Sequence, residues 1–516
     1  MSEPVAAIST GSQPCAIGIV RVSGDGCFAL CDRVFRPGAS DGNRVSALSG
    51  ETNVSAPRER KLLSTLPPRK MILGDCLDRE GRVIDHALAV RFPAPHSYTG
   101  EDCVEFHCHG SPVVLRELLD ALFSHGVRQA LPGEFTRRAF LNGRMDLTQA
   151  EAVIDLIDAH SAAMARNAAA QLDGGLRRIL EPVQNALLDV AARFYAVVDY
   201  PDEDIEDVRP EEIKNALRLS GETLNGLLAS CGRGKVLKNG VRTAITGRPN
   251  TGKSSLLNAL AGFDRAIVTD IPGTTRDTIE ESILCGGVLL RLTDTAGLRQ
   301  SGDTVERLGV ERSRRAVRDA DLIFVVTDVS QPLTEEDMDA VNLARNSGKP
   351  WIFIENKCDL LSSDTPDAQT DIFQHTGRFP DIFQHTGGLP DIFQHTGGLP
   401  DNVSDGSGGE MVPLCVRLSA KTGKGLDRLE NAVAHCCPPD AGTDSGTFLT
   451  DSRQEDAARR SLNALKRAQT AFEEGFSPDA VLTDVEEALD ALGELTGRTA
   501  KEEIVSRIFE RFCVGK

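Results

Sequence analysis

The chain has 516 residues, enough for three domains that each bury a core. A net charge of −19 excludes a global field that would hold nucleic acid, so any polyanion must be gripped by local basic patches. Thirteen cysteines, an odd number at scattered spacings, argue against a disulfide framework and for a reducing compartment.

No stretch approaches the ~18 consecutive apolar residues of a membrane span. Met1-Ser2-Glu3-Pro4 opens no basic region followed by an apolar one, so a cytoplasmic location with no membrane association is expected. Residues 1–142 mix short β-rich runs such as Ala87-Leu88-Ala89-Val90-Arg91-Phe92 with Gly/Pro turns, which predicts an α+β domain. The polar stretch from about 38 to 60 reads as a loop within it. From 143 to 239 the pattern becomes helical: Ala150, Val153, Ile154, Leu156 and Ile157 form an apolar stripe read as core, followed by Ala-rich segments through Ala196. Arg177-Arg178, Lys235 and Lys238 are candidate basic patches, against the plainer reading of solvated surface.

Residues 240–440 change pattern again. A predicted strand, Val241-Arg242-Thr243-Ala244-Ile245, runs into Gly247-Arg248-Pro249-Asn250-Thr251-Gly252-Lys253-Ser254, a GxxxxGKS phosphate loop. A helix opens behind it at Ser255-Leu256-Leu257, so backbone N–H groups can converge on phosphate at a helix N-terminus. Lys253 would reach the β/γ-phosphates and the Ser254 hydroxyl would ligate Mg²⁺. The segment Thr269-Asp270-Ile271-Pro272-Gly273-Thr274-Thr275 offers Thr275 as a second Mg²⁺ ligand and carbonyl oxygens suited to a monovalent cation, and Asn250 is another candidate ligand for that cation.

Asp294-Thr295-Ala296-Gly297 follows the predicted strand Val288-Leu289-Leu290-Arg291-Leu292, which sets Asp294 at the carboxyl end of a parallel sheet, beside the Mg²⁺. Asn356-Lys357-Cys358-Asp359 follows the strand Trp351-Ile352-Phe353-Ile354. The Asp359 carboxylate can accept from two adjacent N–H groups of guanine, a pairing that adenine does not offer. Ser419-Ala420-Lys421 would complete the base pocket with backbone N–H groups. Any one of these short segments alone reads as a surface turn; four in order imply binding and hydrolysis of GTP. Leu298 stands where many GTPases carry the glutamine that orients the attacking water, so another group must take that part. Glu306, eight residues on, is the candidate, although spacing alone favours a solvated carboxylate on a helix face.

Between the Asn356 and Ser419 motifs, a polar stretch from 362 to 410 holds three ten-residue copies over 371–400, each carrying Asp-Ile-Phe-Gln-His-Thr-Gly. The repeat is too short to stack a solenoid and reads as a surface insertion. His375, His385 and His395 have no cysteine or carboxylate at ligand spacing, which disfavours a metal site. Residues 441–516 are helical again, with Leu462, Leu465, Leu489, Leu492 and Leu495 as core positions.

Together these residues resemble the MnmE (also called TrmE) family of tRNA-modification GTPases. Beyond the nucleotide motifs, the likeness is carried by Gly18-Ile19-Val20-Arg21-Val22-Ser23-Gly24 and by Tyr98-Thr99-Gly100-Glu101-Asp102 leading to Glu105. It continues through Pro132-Gly133-Glu134-Phe135-Thr136-Arg137-Arg138-Ala139-Phe140-Leu141-Asn142 to Cys513-Val514-Gly515-Lys516, nearly the whole chain. The resemblance implies a multidomain α/β protein. An N-terminal α+β folate-binding-like dimerisation domain (1–142) is followed by a discontinuous helical domain (143–239 and 441–516) with an inserted Ras-like P-loop G domain (240–440).

It further implies a homodimer whose GTP hydrolysis is stimulated by potassium, with Asn250, Thr269, Ile271 and Thr274 matching the potassium ligands. Glu306 matches the catalytic glutamate, which reverses the reading from spacing. A 5-formyltetrahydrofolate-type one-carbon carrier is expected near Arg21, Glu105 and Lys516, and near Arg144, which stands where the family often has lysine and changes the hydrogen-bonding fork. Cys513 is open to two readings, a covalent nucleophile or a bystander thiol. Implied partners are tRNA and the FAD/NADH-dependent protein MnmG (GidA) in a heterotetramer-type complex that adds an aminomethyl or carboxymethylaminomethyl group to carbon 5 of the wobble uridine. A ribosome-assembly GTPase acting as a binding switch is the alternative; it would lack Arg21, Glu105 and the Cys513-to-Lys516 end.

Overall fold

The computed structural model describes residues 2–11, 13–38, 62–199, 210–263, 280–293, 306–361, 414–438 and 448–516. The chain divides into two compact units, one of residues 1–157, 168–229 and 452–516, the other of residues 158–167 and 230–451.

The first unit begins with strands β1 (Val5–Ile8), β2 (Cys15–Ser23), β3 (Phe35–Pro37), β4 (Ile72–Leu77), β5 (Val83–Phe92), β6 (Cys103–Gly110) and β7 (Arg128–Gln129). They form one seven-stranded sheet in the order β3-β4-β5-β6-β2-β1-β7, antiparallel except for the β1–β7 pair. Alternate residues of β2 and β6 (Val20, Val22, Val104, Phe106, Cys108) turn to one face. There they pack with Cys27, Cys31 and Val34 of helix α1 (Cys27–Val34) and with Leu115, Leu118 and Leu122 of α2 (Pro112–Ser124). The other set, Arg21 opposite Glu105 among them, faces away from that core.

Helices α3 (Glu134–Leu141), α4 (Leu147–Ile157), α5 (Ala162–Leu172), α6 (Gly175–Asp199) and α7 (Pro210–Asn239) follow. The central strands and helices of the second unit come next: β8 (Val241–Thr246), α8 (Lys253–Phe263), β9 (Glu280–Cys285), β10 (Val288–Thr293), α9 (Glu306–Asp319), β11 (Leu322–Asp328), α10 (Glu335–Arg345), β12 (Trp351–Asn356), β13 (Leu414–Arg417) and α11 (Leu426–Cys436). The chain closes with α12 (Ser452–Glu473), α13 (Pro478–Thr496) and α14 (Glu502–Phe509), back in the first unit. Within that unit Glu151 of α4, 7% exposed, accepts from Arg453 Nε and Nη2 and from Gln454 Nε2 of α12, each at 2.8 Å. Residues some 300 positions apart thus share one buried ion pair. A buried carboxylate survives there because three donated hydrogen bonds satisfy both oxygens.

The expected core positions are buried at Leu462, Leu465, Leu492 and Leu495, and Leu489 is partly covered. The α4 stripe is shorter than its sequence pattern. Val505, Ile508 and Phe509 of α14 pack with Ala150, Val153 and Ile154, and beyond that cluster Leu156 and Ile157 stand 36% and 51% exposed.

The second unit has a six-stranded sheet ordered β13-β12-β11-β8-β10-β9, parallel except for the β9–β10 hairpin. β11 is buried along its whole length, as a central parallel strand covered on both faces must be. Its alternate residues feed two cores: Leu322, Phe324 and Val326 meet α8 and α11, while Ile323 and Val325 meet α9 and α10. This doubly wound arrangement leaves the loops after β8, β11, β12 and β13 at the carboxyl ends of the parallel strands, where open α/β sheets bind ligands.

Candidate functional site

The phosphate loop leaves β8 at Gly247, whose φ of 141° and position bar a side chain, because a Cβ there would stand 2.2 Å from the Val326 carbonyl oxygen. Asn250 (φ 64°) and Gly252 (φ 95°) then turn the backbone left-handed, back onto the start of α8. A Cβ on Gly252 would stand 2.2 Å from the Asn356 amide nitrogen, so the loop and the β12 end are fitted to each other. Thr251 Oγ1 donates to the Arg248 carbonyl at 3.1 Å. Lys253 folds over its own loop, donating to the carbonyls of Gly247 (2.8 Å) and Arg248 (2.7 Å). Ser254 and Ser255 lie in the first turn of α8.

The motifs around Asn356 and Ser419 meet at Asn356, 2% exposed at the end of β12. Its Nδ2 donates to the Thr251 carbonyl at 2.9 Å and its Oδ1 accepts from the Ala420 N–H at 3.0 Å. One amide therefore ties the phosphate loop to the Ser419-Ala420-Lys421 turn. Ser419 Oγ donates to Asp359 Oδ1 at 2.6 Å, which fixes the carboxylate, and the Ser419 N–H closes the turn on the Lys424 carbonyl at 2.8 Å. The N–H groups of Ser419 and Ala420 are thus spent inside the protein, and exposed Lys421 lies at the head of the turn.

Lys357 (φ 65°) reaches Asp328 Oδ2 at 2.7 Å. Burial alone would raise the Asp328 carboxyl, but hydrogen bonds from Lys357 and Ser330 outweigh it and hold the group below the ordinary carboxylate range. Asp328 was not among the sequence candidates. Its position at the carboxyl end of the central strand is the signal that could have found it. Thr269, Asp270, Ile271, Pro272, Gly273, Thr274, Thr275, Asp294, Thr295, Ala296, Gly297 and Leu298 lie outside the described residues, as does the repeat at 371–400. Glu306 opens α9, and its side chain also lies outside them.

The second candidate site lies on the first unit. Arg21 and Glu105 are cross-strand partners, with Nε to Oε1 at 2.9 Å and Nη2 to Oε1 at 2.8 Å. The guanidinium also stands 5.0 Å from the centroid of the Tyr98 ring and 5.5 Å from that of Phe135. Burial pushes the Tyr98 phenol up, against the opposing effects of Thr136 and Arg21. The C-terminal tail docks beside this group. Val514 bridges to Pro132, the Gly515 carbonyl accepts from Ser9 Oγ at 2.9 Å, and the Lys516 carbonyl accepts from the Phe135 N–H at 3.1 Å. Gly515 (φ 101°) could carry no Cβ, which would stand 2.0 Å from the Ile8 carbonyl oxygen. Arg144 is exposed, with its Cγ 3.2 Å from where a Cβ on Gly100 would stand, two residues from Tyr98. Cys513 is exposed.

Much of the remaining motif material forms the frame of this site. Arg138 joins Glu101 (2.9 Å) to Glu134 (2.8 Å), Glu134 pairs with Arg128 (2.6 Å), and Ser23 meets Thr99 (2.7 Å). Among the basic candidates, Arg178 lies 3.5 Å from Asp173, Lys238 3.5 Å from Asp451, and Arg177 3.7 Å from Glu181, while Lys235 stands on α7. Among the described residues no cluster of His, Cys, Asp and Glu side chains could hold a metal, and no helix is long and apolar enough to cross a membrane.

Two family profiles match the chain: "MnmE helical domain" over residues 147–513 and "GTP-binding protein TrmE N-terminus" over residues 4–144. The "tRNA modification GTPase MnmE" of Roseiflexus sp. (strain RS-1) is 39% identical, over 100% of this chain and 99% of its own length. The protein of the same name from Heliobacterium modesticaldum is 39% identical over the full length of both. Among solved structures, the G domain of the T. maritima FeoB iron transporter is similar at 22% identity and a TM-score of 0.24, covering 38% of this chain and 98% of that one.

Proposed function

The chain belongs to the MnmE family of tRNA modification GTPases, and from that premise we propose that it couples potassium-stimulated hydrolysis of GTP to installation of an aminomethyl-type group at carbon 5 of the wobble uridine. The observation that carries the nucleotide half is the Asn356 amide, which makes phosphate loop and base-recognition turn one rigid piece. Asp359, its oxygen held by Ser419, reads the N–H edge of guanine. Lys253 exchanges its two loop carbonyls for the β/γ-phosphates, and its charge offsets theirs.

Ser254 at the head of α8, with Thr275, would hold Mg²⁺, and Asn250, with Thr269, Ile271 and Thr274, would hold potassium. The left-handed turn at Asn250 fits that part, since asparagine tolerates this backbone and presents an amide oxygen to a hard cation. A bound potassium ion supplies the positive charge that an arginine finger supplies elsewhere, worth roughly 10³–10⁵ in rate. Glu306 orients the attacking water in place of the glutamine that Leu298 replaces.

In the first unit, Glu105 would accept from the amine and ring N–H of a 5-formyltetrahydrofolate-type carrier, while Arg21, Lys516 and Arg144 face its carbonyl and carboxylates. The fit rests on the stacking of Arg21 over Tyr98 and Phe135 and on the docked tail. A homodimer and a flavin-dependent partner protein of the MnmG type complete the reading. Its test is hydrolysis of GTP in K⁺ and in Na⁺ at equal ionic strength. The rate in Na⁺ should be lower by orders of magnitude, and equal rates would sink the potassium mechanism.

A further inference from the structure

Glu105 is gripped through one oxygen only. Arg21, its cross-strand partner on β2, donates from Nε at 2.9 Å and from Nη2 at 2.8 Å, both to Oε1. Oε2 accepts no hydrogen bond among the described residues. The terminal torsion of a glutamate is broad, so a carboxylate held in this way still turns about its own bond. A ligand that offers two adjacent N–H groups needs both oxygens set at one angle.

The strand itself carries a second donor. Residues two apart on β6 share a face, and His107 therefore stands beside Glu105, with its Nε2 3.5 Å from Glu105 Oε2. That nitrogen is buried and has no hydrogen-bond partner among the described residues. An orphan of this kind is costly, and a small turn of either side chain closes the gap to the usual ~3.0 Å.

The neighbours on this face offer no substitute. Val90 lies across from Glu105 on β5, and Leu88 and Ile19 flank His107 on β5 and β2. The two other histidines of the face are engaged elsewhere: His109 Nδ1 lies 2.7 Å from Asp85 Oδ1, and His86 Nδ1 lies 2.7 Å from Asp75 Oδ1. A carboxylate has about four acceptor positions, two on each oxygen. With Arg21 on Oε1 and His107 on Oε2, one position on each oxygen stays open, and the two open positions form a matched pair.

We propose that His107 is a positioning residue of the carrier site, whose Nε2–H holds the second oxygen of Glu105 and sets the carboxylate to receive the paired N–H groups of the carrier. This role rests on the carrier reading above. Its test titrates 5-formyltetrahydrofolate into the full chain as wild type, His107→Gln, His107→Leu, His107→Asn, Glu105→Gln and the double variant His107→Leu/Glu105→Gln. Urea unfolding checks that each variant is folded.

His107→Leu removes the donor and should weaken binding about five- to tenfold. His107→Asn, whose shorter amide falls short of Glu105, should lose as much, while His107→Gln restores an N–H at similar reach and should bind within about twofold of wild type. In the Glu105→Gln background the amide turns its NH₂ toward His107, so the further change to Leu should cost less than about twofold. A merely structural histidine would cost the same factor in both backgrounds. Equal losses in the two backgrounds, wild-type affinity in both His107→Leu and His107→Asn, or a His107→Gln variant as weak as His107→Leu overturns the positioning role and leaves the carrier reading standing. A folded wild-type chain that does not bind 5-formyltetrahydrofolate overturns both.

Discussion

Asp359 shows how far a single residue can be read. The role of base reader proposed for it comes from its place in the Asn356-Lys357-Cys358-Asp359 motif, whereas the Ser419 hydroxyl that steadies its carboxylate lies 60 positions away. That partner decides what a substitution does. In Asp359→Asn, Ser419 holds the amide oxygen and leaves the NH₂ toward the base, where it suits the carbonyl at position 2 of xanthine and opposes the amine of guanine. The variant should therefore prefer XTP in a competition assay, and an unchanged preference for GTP would show that residue 359 does not read the base. Lys357 with Asp328 and Glu151 with Arg453 were illegible for a common reason, since ion pairs between distant positions leave no periodic trace.

Elements were readable wherever their chemistry is local. Gly247, Asn250 and Gly252 mark the phosphate loop because its turns need left-handed backbone, and the β-rich runs of residues 1–142 mark a sheet. Reading failed where length depends on a neighbour: the α4 stripe continues to Ile157 in sequence, but the cluster built by α14 stops at Ile154. The tail Cys513-Val514-Gly515-Lys516 was recognisable only as a resemblance, and its docking turns on Gly515.

In Gly515→Ala, the new Cβ meets the Ile8 carbonyl and the tail must lift. Affinity for 5-formyltetrahydrofolate should fall about ten- to hundredfold while GTP turnover persists. Unchanged affinity by calorimetry would mean that the tail takes no part in the site.

At the start of α3, burial alone would raise the Glu134 carboxyl, but hydrogen bonds from Arg128, the Leu131 N–H and Arg138 bring it down to about 2, from an ordinary value of 4.5. A depressed carboxylate contributes stability that is complete above the unfolded value and lost as pH falls through the folded one. Glu134→Gln should therefore cost about 1–2 kcal/mol at pH 7, and the difference from wild type should vanish between about pH 4.5 and 2. A difference that persists in urea unfolding at pH 2 would assign the loss to packing.

At the scale of the whole molecule, the order of patterns along the chain was legible. Arg453 and Gln454 of α12 close on Glu151 of α4 in a unit that also contains the N-terminal sheet, with residues 230–451 forming the other unit.

The central claim is that GTP hydrolysis by this chain drives modification of the wobble uridine. Nucleoside mass analysis of tRNA tests it most directly, in cells lacking the chain and complemented with wild type or Lys253→Ala. The account predicts that the aminomethyl-type group at carbon 5 disappears without the chain, returns with wild type and stays absent with Lys253→Ala. Fully modified uridine in cells without the chain, or full restoration by Lys253→Ala, would contradict it.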